Sequence, residues 1–511
     1  MFMFVEEQAQ DTLYDGAHLR RRRIASGTAA GGLLMAITIG TAIVHYKLVI
    51  GLLPRELAGL WLLFWSLGSY LAFFDLGIGP TLSREISFLA GKADRSSEVA
   101  DLAKTCLRIY SVVSFLLLGF ALLAGWLLLP TLNLQSIAPR DALIVWGLFT
   151  GGACVNLLNN LSFSILTGEG EVAIERLTRA FGMLCWLFLS TYTLTAGYGL
   201  IGVALAWLVN ACVVRVLSIT VVKYKFHDLR ISQGRWRADL ARRIASPSAR
   251  WASIQLGALL ILQTANLLIA WNLGPSAIPS YEAAARVIMA AGTIALLSTN
   301  ASIPYYSRAF VTDDLASLRD LLYRNVQHGL LAMAATISVL CAFAPELFFT
   351  WLGQGNFVGY PVLIVMACMM TLETHHVAHA SQYMASGRIP FVRIAVVAGI
   401  LNLVISLILV RWLGLLGIAL GTMIAQMLTN NWYVPHANLR RLRIETIDYL
   451  RFILPRLFGL IALFGMTAGA VSMLTLGYHP LMRLSAGTIA SACLSFILYR
   501  RLEHPKMSLA K

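Results

Sequence analysis

About fourteen apolar stretches, each long enough to cross a bilayer, follow one another along this chain with little between them. They run over 27–50, 57–78, 105–129, 141–166, 177–196, 199–222, 251–272, 281–304, 326–349, 358–385, 391–410, 414–434, 453–475 and 481–499. A crossing needs about 20 mostly apolar residues. Inside hydrocarbon each backbone N–H and C=O must find a partner within its own segment, which a helix provides. The expected fold is therefore all-α, a polytopic membrane protein of about fourteen transmembrane helices. The cations orient it. Of 40 Lys and Arg, 32 fall in every second gap: Arg20–Arg23, Arg84–Lys104, Arg176 and Arg179, Lys223–Arg250, Arg308–Arg324, Arg388 and Arg393, Arg440–Arg456, and Arg500–Lys511. The alternate gaps hold only Arg55, Arg140, Arg411 and Arg483, and the stretches themselves hold Lys47, Arg108, Arg215 and Arg286. Excess Lys and Arg marks cytoplasmic loops, so both termini are expected in the cytoplasm and the span count is even.

Charged residues make up 13% of the chain, about half the usual share of a soluble protein. The formal net charge is +15. It is spread over eight gaps and does not form one basic face, which excludes nucleic acid as the partner. Anionic lipid of the inner leaflet accounts for the same charge. The acidic, polar N-terminus is not a signal peptide, and the first apolar run is expected to stay as a membrane helix. Seven cysteines lie in or at the edge of the stretches with no CxxC pair, so disulfide and zinc readings are set aside.

The chain repeats. Pro80-Thr-Leu-Ser83-Arg84 closes the second stretch and Pro304-Tyr-Tyr-Ser307-Arg308 the eighth. Thr167-Gly168 closes the fourth and Ser386-Gly387 the tenth. Gly199-Leu-Ile-Gly202-Val-Ala204 opens the sixth and Gly414-Leu-Leu-Gly417-Ile-Ala419 the twelfth. The offsets are 224, 219 and 215. Paired stretches are six apart and cross in the same direction, so the halves are parallel repeats of the kind common in secondary transporters. The expected organisation is an N-terminal six-helix bundle over 1–222, a basic cytoplasmic linker over 223–250, a C-terminal six-helix bundle over 251–434, and two additional helices with a cytoplasmic tail over 435–511.

The stretch Phe73-Phe74-Asp75-Leu76-Gly77-Ile78-Gly79-Pro80-Thr81-Leu82-Ser83-Arg84-Glu85 resembles the second-span ending of the polysaccharide transporter family, within the multidrug/oligosaccharidyl-lipid/polysaccharide (MOP) flippase superfamily. The Gly-x-x-Gly-x-Ala openings and Tyr281-Glu282-Ala-Ala-Ala-Arg286 are similar to it as well. The resemblance implies a bacterial inner-membrane flippase. Its cargo would be polyprenyl-diphosphate-linked oligosaccharide, carried by alternating access for surface polysaccharide assembly. The additional pair of helices resembles that of lipid II flippases. A drug or metabolite antiporter of the same superfamily would have a compact, more acidic and aromatic pocket. A membrane glycosyltransferase or polymerase would have a sizeable outer loop. No GxxxxGK occurs, so ATP is not the direct energy source. No cofactor is expected. A proton or sodium ion is the candidate for coupling, and polysaccharide polymerase or export machinery a candidate partner.

A polar, anionic head group needs a wet, cationic path, and ionisable residues inside a membrane usually line one. Arg286, about five residues into the eighth stretch, has Glu282 one turn earlier on its face. Its planar fork suits a diphosphate, and a self-satisfied Glu–Arg pair is the competing reading. Arg215 is either in the cavity or snorkelling. Arg108 and Lys47 are read as snorkelling. In the tenth stretch His375 and His379 share one face, with Glu373 and His376 on another. The repeat aligns His375 with Asn156 and His379 with Asn160, so all are candidate cavity residues, with Glu373. A metal there would need a second ligand set from another span. Asp75, ahead of Gly77, Gly79 and Pro80, is a candidate gate or coupling carboxylate. Arg84 and Arg308 are candidate gate residues, with lipid anchoring the alternative. Gln255, Gln263 and Asn266 form a polar stripe on the seventh stretch.

Overall fold

The computed structural model describes residues 2–89, 94–229, 231–244, 259, 263–387 and 391–502. All regular structure among them is helical. The helices are α1 (Phe2–Leu52), α2 (Arg55–Ala72), α3 (Ile78–Phe88), α4 (Arg95–Leu128), α5 (Pro139–Gly168), α6 (Val172–Thr195) and α7 (Gly199–Lys225), then α8 (238–244) and α9 (Thr264–Leu273). They continue with α10 (Ile278–Ala295), α11 (Leu297–Val311), α12 (Leu315–Leu352), α13 (Tyr360–Met384), α14 (Val392–Leu413), α15 (Leu415–Leu428), α16 (Asn430–Arg441), α17 (Thr446–Leu474) and α18 (Pro480–Leu502). The chain divides into two compact units, Met1–Leu256 and Gly257–Lys511.

Among the described residues, ten helices are long and apolar enough to cross a membrane, or eleven counting the bent pair Pro275–Ala295 and Leu297–Val311. The chain is thus a multi-pass membrane protein. The sequence count of fourteen is not reached, for local reasons. Helix α6 carries Glu175, Arg176 and Arg179 in its first turns, so two cations assigned to a loop lie inside a helix. The twelfth stretch is interrupted between α15 and α16 at Thr429 (φ −127°, ψ −90°). Most of the seventh stretch, Gln255 included, lies outside the described residues.

In the first unit α5 packs against α7, α4 and α3, and α6 against α1 and α7. The second span does not close at Pro80. It breaks at the short turn Phe73–Asp75, where Leu76 (φ 51°) and Gly77 (φ 76°) take left-handed backbone angles, and resumes as α3 through to Phe88. Proline is tolerated in the first turn of α3 because no N–H is required of it there. The eighth span is likewise bent, by 40°, between α10 and α11, with Pro304 inside α11. The repeat is visible in contacts within each unit. Ser83 Oγ donates to the Ser164 carbonyl near the end of α5 (3.0 Å). Ser307 Oγ donates to the Ala385 carbonyl at the end of α13 (3.5 Å).

The described part of the segment read as a linker, residues 226–229 and 231–244, contacts α3 and α4. The Arg235 amide donates to Asp101 Oδ1 (2.7 Å) and the Arg237 amide to Thr105 Oγ1 (3.2 Å), both on α4. Arg243 of α8 pairs with the buried Glu85 of α3 (2.9 Å). In the second unit α17 and α18 pack on α12. There Ser491 Oγ donates to the Ala335 carbonyl (3.2 Å) and Arg483 pairs with Glu346. Such interhelical polar bonds and close van der Waals packing hold membrane helices together, since lipid supplies no hydrophobic drive.

Candidate functional site

A cavity of about 450 Å³ opens among α1, α2, α5, α6 and α7 of the first unit. Helix α5 supplies its longest wall: Phe149, Ala153, Asn156, Asn160 and Phe163, at alternating steps of four and three, which places them on one face. Leu34 and Thr38 come from α1, Trp65, Gly68 and Ala72 from α2, Arg179, Gly182 and Trp186 from α6, and Trp207 and Asn210 from α7. Glycines let the walls pack closely. A Cβ on Gly68 would lie 2.7 Å from the Phe149 ring, and one on Gly182 would lie 2.7 Å from Val214.

Aromatic rings form one side. Trp65 and Trp186 stack at 6.3 Å and 20°, and Phe149 and Trp207 at 5.9 Å and 15°. Trp65 meets Trp207 edge-on at 5.1 Å. Behind them Trp61 is fully buried, its indole donating to His45 Nε2 (3.2 Å). The Trp207 indole donates to the Phe149 carbonyl (3.2 Å). These tethers fix the rings, while Trp65 stays 39% exposed.

Amides form the other side. Asn156 Oδ1 accepts from Asn159 (3.2 Å). Asn160 Nδ2 donates to Asp75 Oδ1 (3.1 Å), which also accepts from the Tyr110 hydroxyl (2.6 Å). The broken span thus presents its carboxylate to the wall of the cavity through Asn160. Asn210 is 94% buried (6% exposed) and its Oδ1 has no hydrogen-bond partner. Arg179 is paired with Glu175, and its guanidinium lies 3.9 Å from the centre of the Phe163 ring.

Of the residues picked from sequence, Asn156, Asn160 and Asp75 meet here. Asp75 sits at the break and not at a helix end, with the whole of α3 still to follow. Arg215 does not line the cavity; its Nη1 donates to the Leu158 carbonyl of α5 (2.7 Å). Arg84 lies further along α3, 3.4 Å from Glu85.

In the second unit Glu282 bridges Asn266 of α9 (2.5 Å) and Arg286 (3.4 Å). His375 and His379 share a face, as spaced, and both bond the Tyr449 hydroxyl of α17 (2.8 and 2.9 Å). Asn438 of α16 lies 3.3 Å from His379 Nδ1 and donates to Gln382 (2.8 Å). His379, Gln382 and Asn438 are fully buried, so this face is a closed network joining α13, α16 and α17. Glu373 is 3.4 Å from His376. Arg308 is exposed, beside a surface cleft shared with Asp314 and Asp320.

The chain is similar to "Lipid II flippase MurJ, inward closed conformation", with TM-score 0.68, 14% identity, and 92% of this chain and 100% of that one covered. It is also similar to an inward-facing multidrug resistance MATE family transporter of the MOP superfamily, with TM-score 0.67, 16% identity, and 79% and 94% covered. A third likeness is to a MOP superfamily transporter from Pyrococcus furiosus, with TM-score 0.56, 16% identity, and 83% and 96% covered. The fold is that of MOP-superfamily transporters. Residues 159–355 match the model of a family described as polysaccharide biosynthesis protein. No curated protein matches the sequence. The fold and the family match agree with the resemblance carried by the Asp75–Pro80 segment, and the structures matched are of a flippase and transporters.

Sequence reasoning did not single out Trp65, Trp186, Trp207, Asn210 or Arg179. The four-and-three spacing of α5 marked one wall of the cavity, but nothing in the sequence marked the tryptophans of α2, α6 and α7 that complete it.

Proposed function

We propose that this chain is a flippase that carries polyprenyl-diphosphate-linked oligosaccharide from the inner to the outer leaflet of a bacterial inner membrane, for surface polysaccharide assembly. The observation that carries this reading is the match of residues 159–355 to a polysaccharide biosynthesis family on a flippase-type fold. The cavity supports it. Its wall carries neutral amides and indoles, with Arg179 already paired, where a pocket for cationic drugs would be acidic. Alternating access moves one unit against the other, with both termini in the cytoplasm. Asp75, at a helix break and backed by Asn160, is the candidate site for the coupling proton or sodium, since broken helices often hold coupling ions. Arg286 is the candidate contact for the diphosphate, and Arg84 and Arg308 are candidate gate residues, each within its own unit.

A lipid II cargo is the second reading. It is favoured by the full coverage of the lipid II flippase and by the pair α17–α18. Deletion in the source cell separates the two. Loss of surface polysaccharide with lipid-linked oligosaccharide retained inside supports the first reading. Arrest of peptidoglycan synthesis supports the second. Normal envelopes with altered drug efflux overturn both.

A further inference from the structure

We infer that the cavity of the first unit is a saccharide subsite, which holds a sugar of the cargo's head group by its ring face and hydroxyls. This rests on the flippase reading and assigns that site its ligand.

Three observations converge. First, Trp65 is 39% exposed and stacked on Trp186 at 20°, so it is rigid, and it lines the cavity. A flat indole held in place covers the apolar C–H face of a pyranose at little entropic cost. Aromatic rings that combine apolar area with fixed geometry make good anchors. Second, three amides, Asn156, Asn160 and Asn210, line the same space. Each amide brings an acceptor oxygen and two N–H donors, which matches sugar hydroxyls, themselves both donors and acceptors. Third, Asn210 lines the space while 94% buried, and its Oδ1 lacks a protein partner. A buried acceptor left unsatisfied is costly, so the wall at Asn210 keeps spare hydrogen-bonding capacity.

The charge balance argues for the neutral part of the cargo. Among the described residues, the only cation in the wall is Arg179, which is neutralised by Glu175 and stacked on Phe163, and no carboxylate lines the cavity. A diphosphate finds no free cation there and a drug cation finds no anion. A volume of about 450 Å³ falls in the range of small-ligand sites, roughly 300–1,000 Å³.

The test uses the full chain in lipid nanodiscs with three probes: a short polyprenyl diphosphate bearing one N-acetylhexosamine, the same diphosphate without sugar, and tetraphenylphosphonium. Binding is read from intrinsic tryptophan fluorescence and from isothermal titration calorimetry. The sugar should tighten binding about tenfold, in keeping with a stacked ring and one or two hydrogen bonds. Trp65→Ala and Asn210→Leu should each remove most of that increment and leave the bare diphosphate's affinity unchanged. Retained binding of the bare diphosphate shows that a variant is folded, and if one variant fails that control the other decides. The inference is overturned if the wild type binds both lipids equally, if the increment survives in a folded variant, or if tetraphenylphosphonium displaces the sugar lipid from the wild type but not from Trp65→Ala. Loss of flipping activity in the wild type would instead overturn the flippase reading, and a sugar increment measured beside it would leave the subsite standing.

Discussion

Asp75 shows how much one side chain does here. Its carboxylate sits where a span has unwound, and two donors from other helices, Tyr110 and Asn160, hold it. Tyr110→Phe removes the shorter of these bonds. It should lower thermal stability in detergent by about 0.6–2 kcal/mol, the range of interhelical hydrogen bonds in membranes. Asp75→Asn should keep the fold and abolish the dependence of transport on the ion gradient, measured in liposomes. Gradient-dependent transport by Asp75→Asn would remove this residue from coupling. Arg286 is a different case, with its partner Glu282 on its own helix and Asn266 behind. Arg286→Ala should abolish surface polysaccharide at normal membrane levels, and Lys should restore only part, because a point charge lacks the bidentate fork. Loss of the protein from the membrane would show a structural pair. Asn156 and Asn160 were legible in the sequence because the repeat aligned them with His375 and His379, and Asp75 because a carboxylate is costly in an apolar span and stands ahead of Gly77, Gly79 and Pro80. The tryptophans were not, because indole in an apolar helix has no mark that separates cavity wall from lipid contact. His375 and His379 were correctly placed on one face, but their partner Tyr449 lies 74 and 70 residues away, on a helix whose packing no local pattern encodes.

At the scale of elements the breaks matter most. The sequence located the Asp75–Pro80 feature but read it as the end of a span. Left-handed angles at Leu76 and Gly77 let the chain turn and resume, so α3 carries the polar second half of the crossing. Glycine reaches such angles freely and leucine at a cost of order 1–3 kcal/mol. The lower end of α3 is in turn clasped by the segment read as a linker. Glu85, only 6% exposed, takes Arg243 of α8 and Arg84 of its own helix. The cation pattern identified the segment as basic, but its docking depends on a single buried carboxylate and two backbone amides. Glu85→Gln should loosen it. Limited trypsin cleavage within 226–244 should then accelerate several-fold relative to the wild type, while α5 and α7 stay intact. Unchanged cleavage would mean that the α4 contacts alone hold it.

For the whole molecule, the apolar periodicity announced the class, and the three offset matches announced two related halves. The structure has two compact units, and in each the matched serine donates to a helix carbonyl. The span count was less legible, because α6 and α15–α16 mix polar groups into crossings. Cysteines placed at 55, 140 and 276 should react with impermeant reagent from outside, and one at 237 should not. Labelling at 237 would reverse the proposed orientation. The central claim is transport of a lipid-linked saccharide, and purified protein in liposomes tests it most directly. A fluorescent polyprenyl-diphosphate saccharide is placed in both leaflets and its accessible fraction is followed with a sugar-modifying enzyme added outside. The account predicts that the protected half becomes accessible only with the protein present, and that Arg286→Ala stops this. A protected half that stays protected, in liposomes where the same protein moves a cationic drug, would contradict it.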